Sequence, residues 1–215
     1  MSRARPARIL LVEGVPATGK TSILNSLVRR YVESAERTRS LLHLTQAHTY
    51  HPLSPDEPVE RDRASASADN LAHLGRIVDL VSWMSSSVYC EGRKIFLCTI
   101  DTLHITHCFR PGVLSWDEVA SFDRRLAGLG CKLLFLRATR ETVWERAILG
   151  RQDNRFVTHY GKRYGRSPEE IHSYYAREQE RMLTLVGQTG METKILDCER
   201  SVAELSQEAF DYWMS

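Results

Sequence analysis

Short, almost entirely apolar runs alternate along the chain with longer segments in which apolar residues recur every three or four positions. The runs occupy residues 9–12, 41–44, 95–100, 133–136 and 193–196. Runs that are apolar at nearly every position are typical of strands buried on both faces, as in a parallel sheet. Helical segments between such strands cover both sides of the sheet. The pattern therefore predicts an α/β fold of three layers.

The helical segments have recognisable starts and ends. The longest helical pattern covers residues 66–89 and keeps its apolar side chains on one face, which predicts core packing rather than a cofactor role. Three S-x-x-E sequences, at residues 115–118, 167–170 and 201–204, are capping boxes that predict helix starts. Thr139 predicts the cap of a segment over residues 140–149, which ends at Gly150. The proline-rich residues 52–58 predict a loop.

Composition and charge limit the class of protein. The 215 residues are 42% hydrophobic and 26% charged, which fits one globular domain over residues 1–215. A net charge of +2 argues against a general nucleic-acid or membrane-surface binder. The five cysteines are odd in number and lack C-x-x-C spacing, which argues against zinc and a disulfide framework. With neither a signal peptide nor a transmembrane run, we expect a cytoplasmic protein.

The strongest motif follows the first apolar run. Its pattern is G-x-x-x-x-G-K-T, formed by Gly14, Val15, Pro16, Ala17, Thr18, Gly19, Lys20 and Thr21. Glycines let backbone N–H groups approach a polyphosphate, and the lysine supplies a positive charge to its outer phosphates. The threonine hydroxyl can bind Mg²⁺ at the start of a helix, whose N-terminus itself favours anions. The sequence therefore predicts the phosphate loop of a nucleoside triphosphatase or kinase.

A carboxylate follows the third apolar run. Asp101 comes directly after this run and ends the predicted strand, so a parallel sheet would place it at the same edge as the phosphate loop. We expect its carboxylate to lie on the Mg²⁺ side or to take a proton from an acceptor hydroxyl. The structural alternative is an aspartate that caps a helix or a turn.

Polar and aromatic residues near the same edge are candidates for binding the phosphate acceptor. Gln46, His48 and Tyr50 follow the second apolar run, and Arg110 belongs to the end of a turn that His104 and His107 flank. A base role for His48 competes with simple exposure to solvent. His104 and His107 lack the spacing of a known metal site, so we expect a structural or acceptor-side role for them.

Residues 146–166 form the most basic part of the chain. Arg146, Arg151 and Arg155 belong to it, together with several aromatic residues. Phosphoryl transfer spreads negative charge over oxygens, and a basic segment that closes over them stabilises this charge and excludes water. We therefore predict an arginine-rich lid over residues 150–167, with Arg151 and Arg155 as catalytic residues. The alternatives are a solvated charged loop and a nucleic-acid patch.

Taken together, these residues resemble the thymidylate kinase and deoxynucleoside kinase group. The resemblance rests on Glu13-Gly14 at the loop, Asp101 at a strand end, residues 136–141 leading to Glu145-Arg146 and Arg151, and residues 195–197 before a capped helix. It implies a five-stranded parallel sheet, ATP with Mg²⁺, an acceptor between the long helix and the strand ends, and an arginine lid. It also implies that Lys20 contacts the phosphates and that Thr21 contacts the metal. Asp101 corresponds to the acid of the family's Asp-Arg pair, and the lid arginines correspond to Arg146, Arg151 and Arg155. Arg200 falls on the adenine side.

Two departures from the family pattern concern the acceptor. Thr102 follows Asp101 where the family has arginine, and Gln46 stands where the deoxynucleoside kinases have a glutamate base. The sequence thus predicts an ATP-dependent kinase of a small molecule, either a nucleoside or nucleoside monophosphate, or another alcohol such as an antibiotic. A regulatory switch is disfavoured because the D-x-x-G and N-K-x-D motifs are absent. We expect no nucleic-acid or membrane partner, and a homodimer remains open.

Overall fold

The computed structural model describes residues 7–33, 39–49, 63–86, 95–109, 114–151 and 167–215. It contains one sheet of five parallel strands in the order β2-β3-β1-β4-β5. Each of the five apolar runs lies within one strand, which confirms the predicted α/β fold. The strands are β1 (Arg8–Glu13), β2 (Arg39–Leu44), β3 (Ile95–Asp101), β4 (Lys132–Arg137) and β5 (Glu192–Asp197).

The middle of the sheet carries the most deeply buried strands. Every residue of β1 after Arg8 is buried, as are six of the seven residues of β3. In β5, at the edge, only Leu196 is buried. The pairing of β1 with β3 aligns Val12 with Asp101, so the ends of these two strands lie side by side. This register brings Asp101 next to the start of the phosphate loop.

Helices flank both faces of the sheet. They are α1 (Lys20–Glu33), α2 (Gln46–Thr49), α3 (Arg63–Ser86), α4 (His104–His107), α5 (Trp116–Gly128), α6 (Arg140–Val143), α7 (Pro168–Val186) and α8 (Val202–Met214). Helix α1 packs against α8 and the central strands, while α3 packs against α5 and β3. Trp213 on α8 is buried and donates its indole N–H to the Arg8 carbonyl, which fastens the last helix to the first strand. None of the described helices is long and apolar enough to cross a membrane.

The predicted helix starts agree well with the structure. Capping boxes form at Ser115 with Glu118, Ser167 with Glu170 and Ser201 with Glu204, as their sequences predict. The long helix covers Arg63–Ser86 in the described part of the chain, so it starts before the predicted residue 66, and residues 87–89 of the prediction lie outside the described residues. Thr139 caps the segment after β4 by accepting the Thr142 N–H, also as predicted.

The segment after Thr139 is not one continuous α-helix. Helix α6 widens into a π-helical turn over Trp144–Ile148, and a 3₁₀ turn over Leu149–Arg151 follows. The segment therefore does not end at Gly150, since its last described turn includes Arg151. Packing against α7 accompanies the wide turn, since the Trp144 ring meets the His172 ring edge-on at a centroid distance of 5.3 Å. Of the predicted lid, only Gly150, Arg151 and Ser167 belong to the described residues, and for Arg151 this covers the backbone alone.

Candidate active site

The phosphate loop connects β1 to α1 through a backbone that suits glycine. Gly14 has φ +145° and Gly19 has φ +91°, within the range that disfavours side chains. A Cβ atom on Gly14 would lie only 2.7 Å from the Leu136 carbonyl oxygen. Thr18 closes the loop by donating its hydroxyl to the Val15 carbonyl at 2.9 Å. This region thus has the closely packed turn that the motif predicts.

Positive charge lies inside this turn. The Lys20 ammonium group is 2.6 Å from the Gly14 carbonyl oxygen and 2.9 Å from that of Val15. Pro16 and Ala17 form the half-buried outer part of the loop, and Ala17 has φ +67°. The first turn of α1 contains no acidic residue that would compete for its N–H groups. Loop, lysine and helix N-terminus together favour a bound polyphosphate.

A hydroxyl and a carboxylate lie next to the loop. The Thr21 Oγ1 atom donates to Asp101 Oδ2 at 3.4 Å, and the Asp101 side chain is buried at the carboxyl end of β3. Mg²⁺ binds oxygen ligands at about 2.0–2.1 Å, so two adjacent ligands of one ion lie about 3 Å apart. The oxygen chemistry and spacing of this pair therefore fit a Mg²⁺ ion that phosphate oxygens and water would also bind.

Asp101 is a weak candidate for a purely structural cap. The N–H groups of Leu103 and Thr106, at the start of α4, donate to the Glu13 side chain at 2.8 Å and 3.4 Å. The capping position of the following helix is thus already filled by another carboxylate. Within the described part of the chain, no group of three or more His, Cys, Asp or Glu residues could hold a metal ion. A single carboxylate with a hydroxyl is instead the arrangement that a phosphate-bound Mg²⁺ uses.

Glu13 is a site residue that sequence reasoning left without a role. Its carboxylate is fully buried beside the phosphate loop, where it also accepts the Thr106 hydroxyl. Burial raises the pKa of Glu13, while its hydrogen bonds and the charges of His104 and Lys20 oppose the rise. The sequence feature that could have identified Glu13 is a carboxylate at the end of an otherwise apolar strand. Glu13 joins β1 to the segment that follows Asp101.

Two of the four predicted acceptor residues lie on a single helical turn. Gln46 and His48 are exposed on α2, while Tyr50 and Arg110 lie outside the described residues. His48 Nδ1 accepts the Thr45 backbone N–H at 3.2 Å. A backbone N–H can only donate, so the neutral His48 ring carries its proton on Nε2. This geometry suits a hydrogen-bond donor toward an acceptor better than it suits a general base.

The two histidines of α4 are buried and contact protein groups. The His104 Nε2 atom lies 3.1 Å from Asp123 Oδ1, and the His107 Nε2 atom lies 3.0 Å from the Thr49 carbonyl oxygen. Asp123 also accepts the Thr189 hydroxyl and the Gly190 N–H. These contacts give both histidines structural partners, which agrees with the first of the two roles, structural or acceptor-side, that the sequence predicts for them.

The arginines predicted for the nucleotide side are only partly described. Arg146 is exposed on the π-helical turn, the Arg151 side chain is outside the description, and so is the whole of Arg155. Arg200 follows β5 and pairs with Glu208 at 2.5 Å. The parallel sheet brings the end of β5 to the same edge as the phosphate loop. A nucleotide contact by Arg200 would have to compete with Glu208.

Comparisons with known proteins show the fold. No protein-family model and no curated protein matches the sequence. The YorR protein from Bacillus subtilis, solved with phosphorylated GDP, superposes with a TM-score of 0.55 at 11% identity, covering 95% of this chain and 94% of the other. A gluconokinase from Sinorhizobium meliloti 1021 superposes with a TM-score of 0.50 at 16% identity, covering 99% and 94%. The chain thus shares the fold of these two proteins, and membership of the thymidylate and deoxynucleoside kinase group is not confirmed.

Proposed function

We propose that the protein is a kinase that transfers the terminal phosphate of ATP to a small molecule, with Mg²⁺ as cofactor. The observation that carries the proposal is the Thr21–Asp101 oxygen pair beside a phosphate loop that holds Lys20. Phosphoryl transfer depends mainly on positioning and on electrostatic stabilisation of phosphate oxygens. The loop, the lysine and the metal-binding oxygens are the groups that this chemistry needs.

Each residue has a defined task in this proposal. The N–H groups of residues 14–19 and the Lys20 ammonium group hold the phosphates. Thr21 and Asp101 would hold Mg²⁺, which neutralises phosphate charge when bound. Asp101 would also take the proton of an acceptor hydroxyl. In this proposal Arg151 and Arg155, from the lid that the sequence predicts, would stabilise the charge of the transferred phosphate.

For the acceptor we propose a nucleoside monophosphate or a nucleoside. The B. subtilis protein with the same fold was solved with a phosphorylated guanine nucleotide, which supports a nucleotide acceptor or donor. The other similar structure is a gluconokinase, which supports a different small alcohol as the alternative. Exposed Gln46 and the Nε2 donor of His48 suit hydrogen-bond acceptors on either ligand.

A panel of nucleosides, nucleoside monophosphates, sugar acids and other small alcohols tests this function. Each compound is incubated with ATP, Mg²⁺ and the protein, and ADP release is scored above the rate without acceptor. We expect one chemical class to give clear transfer, with the phosphorylated product identified by mass spectrometry. The absence of transfer to every compound would contradict the acceptor classes proposed here.

The Lys20→Ala variant tests the role of the phosphate loop. Loss of the ammonium group removes the charge that stabilises the transferred phosphate, so we expect turnover to fall by at least about 100-fold. The Lys194→Ala variant, which removes an ammonium group from edge strand β5, is the matched control and should keep wild-type turnover. A folded Lys20→Ala protein with full activity would refute the proposed function.

A further inference from the structure

The acceptor-side helix α2 is fastened to the site by hydrogen bonds from three elements. The Thr49 hydroxyl donates to the Asp101 carbonyl at 2.6 Å, and its side chain is fully buried. His107 on α4 donates to the Thr49 carbonyl at 3.0 Å, and His73 on α3 donates to the His48 carbonyl at 2.8 Å. The end of α2 is therefore fixed in place through both its side chains and its backbone.

Asp101 is the residue at which the nucleotide side and the acceptor side meet. Its carboxylate accepts the Thr21 hydroxyl from α1, and its carbonyl accepts the Thr49 hydroxyl from α2. The next residue, Thr102, has φ +56°, which is unfavourable for a β-branched side chain. Thr102 also donates its hydroxyl to the Asp101 carbonyl at 2.7 Å. Neighbouring hydrogen bonds thus hold Thr102 in a strained backbone conformation that β-branched residues rarely adopt.

We propose that Thr49 is a positioning residue that sets the distance between the acceptor-binding residues of α2 and the Asp101 carboxylate. The inference rests on the proposed kinase function. Gln46 and His48 belong to the same helical turn as Thr49, so a shift of Thr49 moves them relative to Asp101. A displacement of about 1 Å between reacting groups can cost up to about 100-fold in rate. His107 supports the same arrangement through its hydrogen bond to the Thr49 carbonyl.

Three variants test the role of the Thr49 hydroxyl. Thr49→Val keeps the shape of the side chain but removes the donor, whereas Thr49→Ser keeps the donor. Thr193→Val is the matched control, because the Thr193 hydroxyl also donates to a backbone carbonyl, that of Met191, but on edge strand β5. For Thr49→Val we expect kcat/KM for the acceptor to fall about tenfold, with the KM for ATP unchanged. Thr49→Ser should restore most of this loss, and the control should stay near the wild-type value.

Hydrogen exchange measures the same effect without any acceptor. The His48 and Thr49 amides both donate to the Thr45 carbonyl, so they report directly on the order of α2. We expect both amides to exchange about tenfold faster in Thr49→Val than in wild type or in Thr193→Val. An active wild type combined with an unimpaired Thr49→Val variant would overturn this inference and leave the kinase proposal standing. A wild type that phosphorylates no acceptor would overturn both.

Discussion

At the scale of single residues, the two tasks proposed for Asp101, metal binding and proton transfer, can be told apart by the Mg²⁺ dependence of a variant. The Asp101 carboxylate lies 3.4 Å from the Thr21 hydroxyl, and it is buried at the strand end nearest the loop. Both metal binding and proton transfer require the ionised carboxylate. Asparagine keeps its size and one oxygen but removes the charge and the basicity.

We expect Asp101→Asn to lower kcat by about 100-fold or more, the usual effect of removing a general base or a metal-binding carboxylate. The rates are measured over a range of Mg²⁺ concentrations, with Asp79→Asn on the exposed part of α3 as control. Recovery at high Mg²⁺ would indicate metal binding, and a loss that Mg²⁺ does not change would indicate proton transfer. Unchanged turnover would remove Asp101 from the catalytic group.

His43 makes the stability of the folded protein depend on pH. Its ring is half-buried on β2, with Nδ1 2.8 Å from the Thr99 hydroxyl. Burial lowers the pKa of His43 below the ordinary value of 6.5, with Asp101 opposing and His48 reinforcing the shift. The unfolded chain therefore binds a proton at a higher pH than the folded protein does. The stability that His43 contributes by staying neutral in the folded protein is complete above about pH 6.5. It is lost as the pH falls toward the pKa of His43 in the folded protein.

The His43→Gln variant should weaken this dependence, because glutamine can still contact Thr99 but does not titrate. We expect the variant to lose less of its free energy of unfolding than wild type between about pH 7.5 and about pH 5.5. Urea unfolding at the two pH values measures the difference. Equal losses in the two proteins would show that His43 is not responsible.

The sequence was informative about residues whose partners are near in the chain. The phosphate loop and the site of Asp101 could be predicted, since the first is one continuous motif and the second ends an apolar run. Glu13 and Thr49 could not, because their partners, Thr106 and Asp101, lie 93 and 52 residues away. Only the folded sheet edge brings such residues together.

At the scale of elements, the short helix α4 depends on contacts from its neighbours. A single helical turn is too short to be stable alone. Glu13 accepts the Leu103 and Thr106 N–H groups at one side, and Asp123 contacts His104 at another. Because α4 directly follows the Asp101 turn, the Glu13 carboxylate also stabilises the geometry of the site.

Replacing Glu13 tests this dependence. Glu13→Ala leaves two buried N–H groups and a hydroxyl without their acceptor, so we expect a loss of about 3 kcal/mol in the free energy of unfolding. Glu13→Gln keeps an acceptor oxygen and loses the charge that burial disfavours, so it should cost about 1 kcal/mol or less. Urea unfolding compares the two variants. Similar losses would show that the hydrogen bonds of Glu13 do not hold α4.

Helix starts and helix shapes differed in how well the sequence predicted them. The capping boxes, such as Ser167 with Glu170, were predictable because both partners lie within one turn. The π-helical turn over Trp144–Ile148 was not, since the sequence there has an ordinary helical pattern. Its packing against α7 involves His172, which only the tertiary structure brings near Trp144.

At the scale of the whole molecule, strand order decides which residues form the site. The apolar runs predicted five strands, but a strand buried on both faces can pack beside any other such strand. In the structure β1 lies between β3 and β4, with Val12 opposite Asp101 and Glu13 opposite Phe135. This order puts the phosphate loop at the centre of the sheet edge, with the proposed acceptor residues of α2 toward β2 and Arg200, the predicted nucleotide contact, toward β5.

A ligand that binds only the folded protein raises the free energy of unfolding of the whole molecule. At roughly 100 times its Kd, a nucleotide adds about 2.7 kcal/mol. For a chain of this length that corresponds to a rise of roughly 5–10 °C in Tm. We therefore expect ATP with Mg²⁺ to raise the Tm of wild type and of Thr49→Val alike, since Thr49 belongs to the proposed acceptor side.

The same measurement separates the two sides of the site. The Tm of Lys20→Ala should rise little or not at all with ATP, because the contacts of Lys20 with the phosphates are lost. In wild type, EDTA should reduce the rise in Tm, because Thr21 and Asp101 would then lack the Mg²⁺ ion that they are proposed to share. A true acceptor, added together with a non-hydrolysable ATP analogue, should raise the Tm further in wild type and less in Thr49→Val. An ATP-dependent rise that persists in Lys20→Ala would place the nucleotide elsewhere, and the sheet edge would lose its assignment as the donor site.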